Sequence, residues 1–120
     1  MKKVIIILLF SICANSQAYQ SDSVSVFVED SKKWVFVKTV PLSSGITFTK
    51  NNTVRFYDKE NDFSLHYSNT TDMGEALRFD FIDSGVWVVL IIQKDLSQYQ
   101  TYIRNEDCTA IKRVYRIKKL

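Results

Sequence analysis

The sequence is poor in the residues that build most catalytic and metal sites. Its 120 residues include one histidine, two cysteines, three glycines and one proline. A single histidine cannot supply a multi-histidine metal site, and no HxH, HExxH, CxxC or GxSxG motif is present. Three glycines are too few for a glycine-rich loop that binds phosphates. The sequence therefore predicts no catalytic residue, no cofactor and no metal ligand.

An apolar stretch with two preceding lysines opens the sequence. Residues 4–10 are all apolar, and Ser16 and Ala18 occupy the small-residue positions that signal peptidase accepts. This pattern predicts a secretory signal helix over residues 1–18, cleaved after Ala18. A transmembrane anchor would need about 20 apolar residues. We therefore expect a periplasmic or extracellular protein whose mature chain, residues 19–120, is one domain without a transmembrane segment.

Cleavage after Ala18 would leave the mature chain with a single thiol. Cys13 would leave with the signal, so Cys108 could form no intramolecular disulfide and would be either buried or linked to another chain. Lipidation of Cys13 is the alternative. It is disfavoured because Ile12 stands where a lipoprotein signal requires a small residue.

Residues that favour β-strands dominate the mature chain. Valine, isoleucine and threonine supply 26 of its 102 residues, fifteen residues are aromatic, and two are alanine. Branched and aromatic side chains fit a pleated sheet, whereas alanine favours helices. We predict an all-β fold, an antiparallel meander of about eight short strands that forms a small barrel or a sandwich.

Alternation of apolar and polar residues places the strands. We expect them at residues 23–29, 34–40, 46–50, 54–58, 63–69, 76–83, 86–92, 95–104 and 110–120. Pro41 is expected to end pairing and to be followed by a loop over residues 42–45. Residues 69–75 are expected to form the longest loop. Residues 95–104 also carry helical spacing and a capping-box pattern, so a helix is the alternative there.

The segment 86–92 is apolar on both faces. Its seven consecutive apolar residues are far too few to span a bilayer. The pattern is typical of a central strand that is covered on both sides. A second sheet, a loop or another subunit could cover it, and the last option would make a homodimer through this strand.

The titratable residues form no evident catalytic group. His66 falls on the polar face of its strand, where we expect it to be solvated. Paired carboxylates could still act as in a glycosidase. The candidates lie at turns or on polar faces and are Asp58, Glu60, Asp62, Asp80 and Asp83. Because aspartates at turns usually bind their own backbone, we predict that the protein is not an enzyme.

The C-terminal end is basic. Removal of Lys2 and Lys3 from the sixteen basic residues leaves fourteen against thirteen acidic ones. Residues 108–120 contain no acidic residue and a basic strip of five, Lys112, Arg113, Arg116, Lys118 and Lys119. This strip could face an acidic protein surface or a lipid headgroup, whereas export disfavours nucleic acid. The alternative is an edge strand whose lysines prevent aggregation.

Four aromatic residues give a weaker indication of a ligand site. Trp34, Trp87, Tyr99 and Tyr102 could line a pocket. Packing in the core is the alternative, because aromatic residues on alternating strands usually face the interior.

The layout of the chain carries a resemblance to a known group. The leader, Trp34 at the start of the second strand, and the segment ITFTKNNTVRFYD followed by short hairpins resemble small exported uncharacterised β-proteins of Bacteroidota, some of them lipocalin-like. The Gly-x-Trp opening of lipocalins is absent, since Lys32 and Lys33 precede Trp34. The resemblance therefore implies neither a ligand cavity nor any site residue.

These features favour an exported, non-enzymatic β-module that binds a protein or a cell-envelope partner. The doubly apolar segment 86–92, the basic strip and the lack of catalytic groups motivate this hypothesis. A lipocalin-like carrier of a small apolar ligand is the first alternative. A carboxylate-based hydrolase is the second.

Overall fold

The computed structural model describes residues 18–83, 86–104 and 109–118. The predicted signal peptide thus lies outside the described residues, except for Ala18. Eight strands make up the fold. They are β1 (Ala18–Asp30), β2 (Lys33–Thr49), β3 (Thr53–Asp58), β4 (Asp62–Asp72), β5 (Ala76–Asp83), β6 (Val86–Gln93), β7 (Gln98–Arg104) and β8 (Ala110–Ile117).

The eight strands form a closed antiparallel barrel. Each strand pairs with the next, and β8 pairs with β1 to close the sheet. The all-β prediction is confirmed, and the architecture is a barrel. Within the described residues, the structure contains no helix that could span a membrane. Because neighbouring strands alternate in direction, the β1–β2 and β3–β4 turns lie at the same end of the barrel, which we call the open end.

Residues with positive φ form two of the tight turns. Ser31 and Lys32 have φ values of 52° and 66° between the paired residues Asp30 and Lys33. Two consecutive left-handed residues match the right-handed twist of a hairpin. In the β2–β3 turn the left-handed residues are Asn51 and Asn52, as expected from the tolerance of asparagine for this conformation.

Pro41 does not end the second strand, contrary to the prediction. β2 continues through residues 42–45, and Pro41 pairs with Ser23 of β1. A register shift in β1 between Ser21 and Ser23 lies opposite, and the pairing of β2 with β3 begins only at Ser44. Proline is tolerated here because its missing N–H serves no second strand at this point.

The predicted long loop over residues 69–75 is also wrong in extent. β4 continues to Asp72, and Asn69–Asp72 pair with β5 after a register shift between Tyr67 and Asn69. This polar run reads as a loop in the sequence, but backbone pairing with β5 holds it in the sheet. The connection that remains is residues 73–75.

Residues 95–104 are mostly strand, as the sequence favoured. β7 begins at Gln98, and a turn precedes it in which the Asp95 carboxylate accepts a hydrogen bond from Ser97 N at 2.9 Å. Leu96 has a φ of 59° in this turn. The capping-box pattern of the sequence therefore marks a turn that an aspartate stabilises.

The core fills the part of the barrel away from the open end. Phe79 of β5 is fully buried, and its ring centroid lies 5.1 Å from that of Phe48 and 5.0 Å from that of Tyr67. Leu90 and Ile92 of β6 also face this core, and Val88, on the same face, lies where the core meets the open end. The period of two in the sequence thus correctly predicts which face of β5 points inward, whereas β6, apolar on both faces, carries no such signal.

The last strand is not an edge strand. β8 pairs with β7 from Gln98–Arg116 to Arg104–Ala110, and with β1 from Ser21–Ile117 to Val28–Ile111. The alternative explanation of the basic strip, protection of a free edge, is therefore wrong.

Candidate functional site

A cavity of about 420 Å³ lies at the open end of the barrel interior. We call it the mouth cavity. Its volume falls in the range of about 300–1,000 Å³ that is typical of small-molecule sites. The apolar part of its lining comes from six strands and consists of Val24, Leu42, Ile46, Phe56, Phe63, Leu65, Val88 and Ile103.

Small side chains leave room for the mouth cavity. Ser44, Thr101 and Val88 face it from three strands and are buried. Eight-stranded barrels are just wide enough to be filled by large side chains or to hold one small ligand. Large rings such as Phe79 fill the core, whereas short side chains at the open end leave space.

Two oppositely charged residues line the mouth cavity. The Asp58 carboxylate accepts hydrogen bonds from Glu60 N at 2.8 Å and Asn61 N at 2.9 Å, which lower its pKa. Arg113 points into the cavity from β8 and is half-buried. Among the described residues, no carboxylate lies within ion-pair distance of the Arg113 guanidinium. The cavity thus contains a carboxylate bound by its own turn and a cation that no carboxylate of the described ranges pairs with.

Two tyrosines form a stacked pair in the wall of the mouth cavity. The rings of Tyr99 and Tyr115 lie 4.7 Å apart with 12° between their planes. Burial raises the pKa of both hydroxyls, and it outweighs the opposing effect of the Arg113 charge on the pKa of Tyr115. Both hydroxyls therefore remain protonated at neutral pH and can donate hydrogen bonds.

A glycine sets the position of a third tyrosine at the cavity. A Cβ atom on Gly45 would lie 2.5 Å from the Tyr57 hydroxyl oxygen and 2.9 Å from the Tyr19 carbonyl oxygen. Only glycine permits this approach. The guanidinium carbon of Arg55 lies 4.9 Å from the centroid of the Tyr57 ring.

A second concavity, of about 260 Å³, lies on the outside of the barrel wall. We call it the outer groove. Trp34, Trp87 and Tyr102 provide its aromatic surface, and the ring centroids of Trp34 and Tyr102 are 5.7 Å apart. Three of the four aromatic residues that the sequence suggested as pocket-lining thus converge here, while Tyr99 lies in the mouth cavity.

Two cationic side chains lie against the aromatic surface of the outer groove. The Arg78 guanidinium lies 5.5 Å from the Trp87 ring and binds the Asp80 carboxylate at 3.0 Å. Lys112 Nζ lies 5.2 Å from the Trp34 ring. These contacts are short enough for cation–π attraction.

The outer groove explains why β6 is apolar on both faces. Val89 points outward yet is 4% exposed, because it lies in the groove among larger side chains. Trp87, at the rim, is 44% exposed. Side chains of neighbouring strands therefore cover part of the outer face of β6.

The basic strip is divided by the alternation of β8. Arg113 faces the barrel interior, whereas Lys112 and Arg116 face outward; Lys118 is exposed, and Lys119 lies outside the described residues, as does Cys108. Sequence reasoning grouped Arg113 with its neighbours. The alternation itself was the available signal, since Ile111 and Tyr115 flank Arg113 on the inward face.

The other titratable candidates are engaged locally. His66 is exposed, with Nδ1 3.4 Å from Thr53 Oγ1. Asp62 forms two hydrogen bonds with Arg55, Glu60 is exposed, and the Asp83 side chain lies outside the described set. The described part of the chain contains no group of three His, Cys, Asp or Glu side chains that could hold a metal ion.

No protein-family model matches the chain, and no curated protein is significantly similar to it.

Proposed function

We propose that the protein binds a small ligand with an apolar body in the mouth cavity, and that it does so after export, without catalysing a reaction on it. The observation that supports this proposal is the cavity of about 420 Å³ with side chains from six strands in its apolar lining. Transfer of apolar ligand surface from water into such a lining is favourable by roughly 25 cal/mol per Å². This is the carrier hypothesis of the sequence analysis.

Binding of a neutral apolar fluorophore, N-phenyl-1-naphthylamine, tests the proposal. We expect saturable binding with one site per chain and loss of binding in Leu42→Trp, because the indole would occupy the cavity. Val37→Trp is the matched control, since Val37 lies on the same strand, is exposed and does not line the cavity. Absence of saturable binding, or unchanged binding by Leu42→Trp, would contradict the proposal.

Export is part of the proposal and has its own test. Expression of the full chain in a bacterium with a periplasm, followed by fractionation and N-terminal sequencing, should give a periplasmic protein that begins at Tyr19. A chain retained in the cytoplasm with its leader intact would contradict it.

The outer groove favours a second candidate function, binding of a protein partner with an acidic surface. Tryptophan, tyrosine and arginine are the residues most enriched at binding hot spots, and Trp34, Trp87, Tyr102 and Arg78 meet here. Lys112 beside the Trp34 ring complements an acidic side chain, whereas Arg78 is already paired with Asp80.

Affinity purification from the native envelope, compared among variants, tests this second function. A partner should be retained by the native protein and by Phe63→Ala, whose side chain is exposed at the mouth cavity. The same partner should be lost with Trp87→Ala and with Trp34→Ala. Retention by all four proteins, or a concentration-dependent dimer that Trp87→Ala abolishes, would contradict it.

A further inference from the structure

We propose that the ligand of the mouth cavity carries an anionic head group, a carboxylate in the simplest case, and that the guanidinium of Arg113 binds it. This inference rests on the proposed small-ligand function and specifies the chemistry of the ligand. The observation behind it is the position of a half-buried arginine, without an ion-pair partner among the described residues, in a mostly apolar cavity.

Arg113 differs from the other four arginines, because three of them form ion pairs and Arg116 is exposed. Arg55 binds Asp62, Arg78 binds Asp80 and Arg104 binds Glu29, each at 3.3 Å or less. Those three pairs lie outside the mouth cavity. Within the described ranges Arg113 has neither an ion pair nor a hydrogen bond, although a guanidinium offers five donors in a fork that fits a carboxylate.

Asp58, the acidic residue of the mouth cavity, forms no ion pair with Arg113. Asp58 Oδ1 accepts the hydrogen bonds from Glu60 N and Asn61 N, and Asn61 Nδ2 lies 3.5 Å from Oδ2. Those bonds lower the pKa of Asp58, so it stays ionised and fixed at the rim. A ligand anion is therefore drawn towards Arg113 and away from the β3–β4 turn.

Hydroxyl donors lie beside Arg113. Thr101 is its cross-strand partner on β7, and Tyr115 lies two residues along the same face of β8. The Tyr115 hydroxyl is protonated at neutral pH, as any tyrosine with an ordinary or a raised pKa is. A carboxylate at Arg113 could accept charge-assisted hydrogen bonds from the guanidinium while its tail contacts Val88 and Ile103.

Calorimetric titration with octanoate and with octanamide, its neutral counterpart of the same size, tests the inference near neutral pH. We expect Arg113→Gln to lose at least tenfold in affinity for octanoate, about 1.4 kcal/mol, and to bind octanamide as the native protein does. Arg116→Gln is the matched control, because Arg116 lies on the outward face of the same strand and is exposed. It should bind both ligands normally.

The outcomes separate this inference from the function beneath it. Octanamide binding with no effect of Arg113→Gln on octanoate would overturn the inference and leave the mouth cavity as an apolar site. Binding of neither ligand by the native protein would overturn both. Should Arg113→Gln not fold, as judged by circular dichroism, the native protein decides, since it should bind octanoate more tightly than octanamide and lose that preference as salt increases.

Discussion

The rings of Tyr99 and Tyr115 stack 4.7 Å apart on neighbouring strands, with Tyr99 only 1% exposed. The pair joins the core to the wall of the mouth cavity. Stacking of this kind contributes about 0.5–1.5 kcal/mol beyond the burial of area. The two hydroxyls are also titratable, which links the pair to a measurable pH dependence.

We expect the free energy of unfolding to fall as the pH rises above about 10, the ordinary pKa of tyrosine. Burial raises the pKa of both Tyr99 and Tyr115 in the folded state. Above the unfolded-state pKa, the unfolded chain loses these protons first, so unfolding becomes more favourable as the pH rises. Each group contributes a slope of up to about 1.4 kcal/mol per pH unit.

The variant Tyr99→Phe with Tyr115→Phe removes both protons and should flatten this slope. Urea unfolding at several alkaline pH values measures it, and tyrosinate absorbance reports the ionisation directly. A slope that is as steep in the double variant as in the native protein would assign the alkaline sensitivity to other groups.

The sequence predicts the fold well where a strand has one buried face. In β5, Leu77, Phe79 and Phe81 alternate with polar residues and are all buried. The prediction fails where pairing, and not side-chain pattern, holds the chain. Pro41 lies in a strand because it pairs with β1, and β3 does not reach this point and so needs no N–H from it. Asn69–Asp72 pair with β5, although their polar sequence is typical of a loop.

The mouth cavity could not be predicted in the same way. Its volume depends on barrel closure and on which short side chains meet across strands that are distant in sequence. Ser44 and Thr101 face one cavity but lie on β2 and β7. The period of two on β8 predicts that Arg113 points inward with Ile111 and Tyr115. The sequence analysis instead grouped Arg113 with the other basic residues of the strip.

Phe79→Ala should destabilise the barrel by about 3–5 kcal/mol. The Phe79 side chain is fully buried between the rings of Phe48 and Tyr67, so truncation leaves a cavity that the closed sheet cannot collapse to fill. Ile82→Ala is the matched control on the same strand, because Ile82 is 75% exposed. Its effect should stay within about 0.5 kcal/mol. Urea unfolding measures both, and equal effects would place Phe79 outside the core.

Lys32→Gly should stabilise the β1–β2 hairpin by about 0.5–1 kcal/mol. Lys32 has a φ of 66°, a left-handed conformation that is costly for a residue with a Cβ atom and free of that cost for glycine. Part of the gain is lost because glycine adds freedom to the unfolded chain. Lys32→Ala removes the charge and keeps the Cβ, so it should give no gain. Amide exchange along β1 and β2 reports the difference, and equal protection in both variants would contradict strain at this turn.

Gly45→Ala should destabilise the protein by about 1–3 kcal/mol, the usual effect of overpacking, and should also weaken ligand binding. The new methyl would lie 2.9 Å from the Tyr19 carbonyl oxygen and 2.6 Å from Tyr57 Cζ, so backbone and ring must both move. Because Tyr57 lines the mouth cavity, its displacement should change the affinity for N-phenyl-1-naphthylamine.

Replacing Tyr57 with Leu in the Gly45→Ala background relieves one of the two contacts and should restore part of the stability. Ser43→Ala, on an exposed neighbouring position, controls for a change on β2 itself. If Gly45→Ala were as stable as Ser43→Ala and bound the fluorophore normally, the approach of Tyr57 to Gly45 would not shape the cavity.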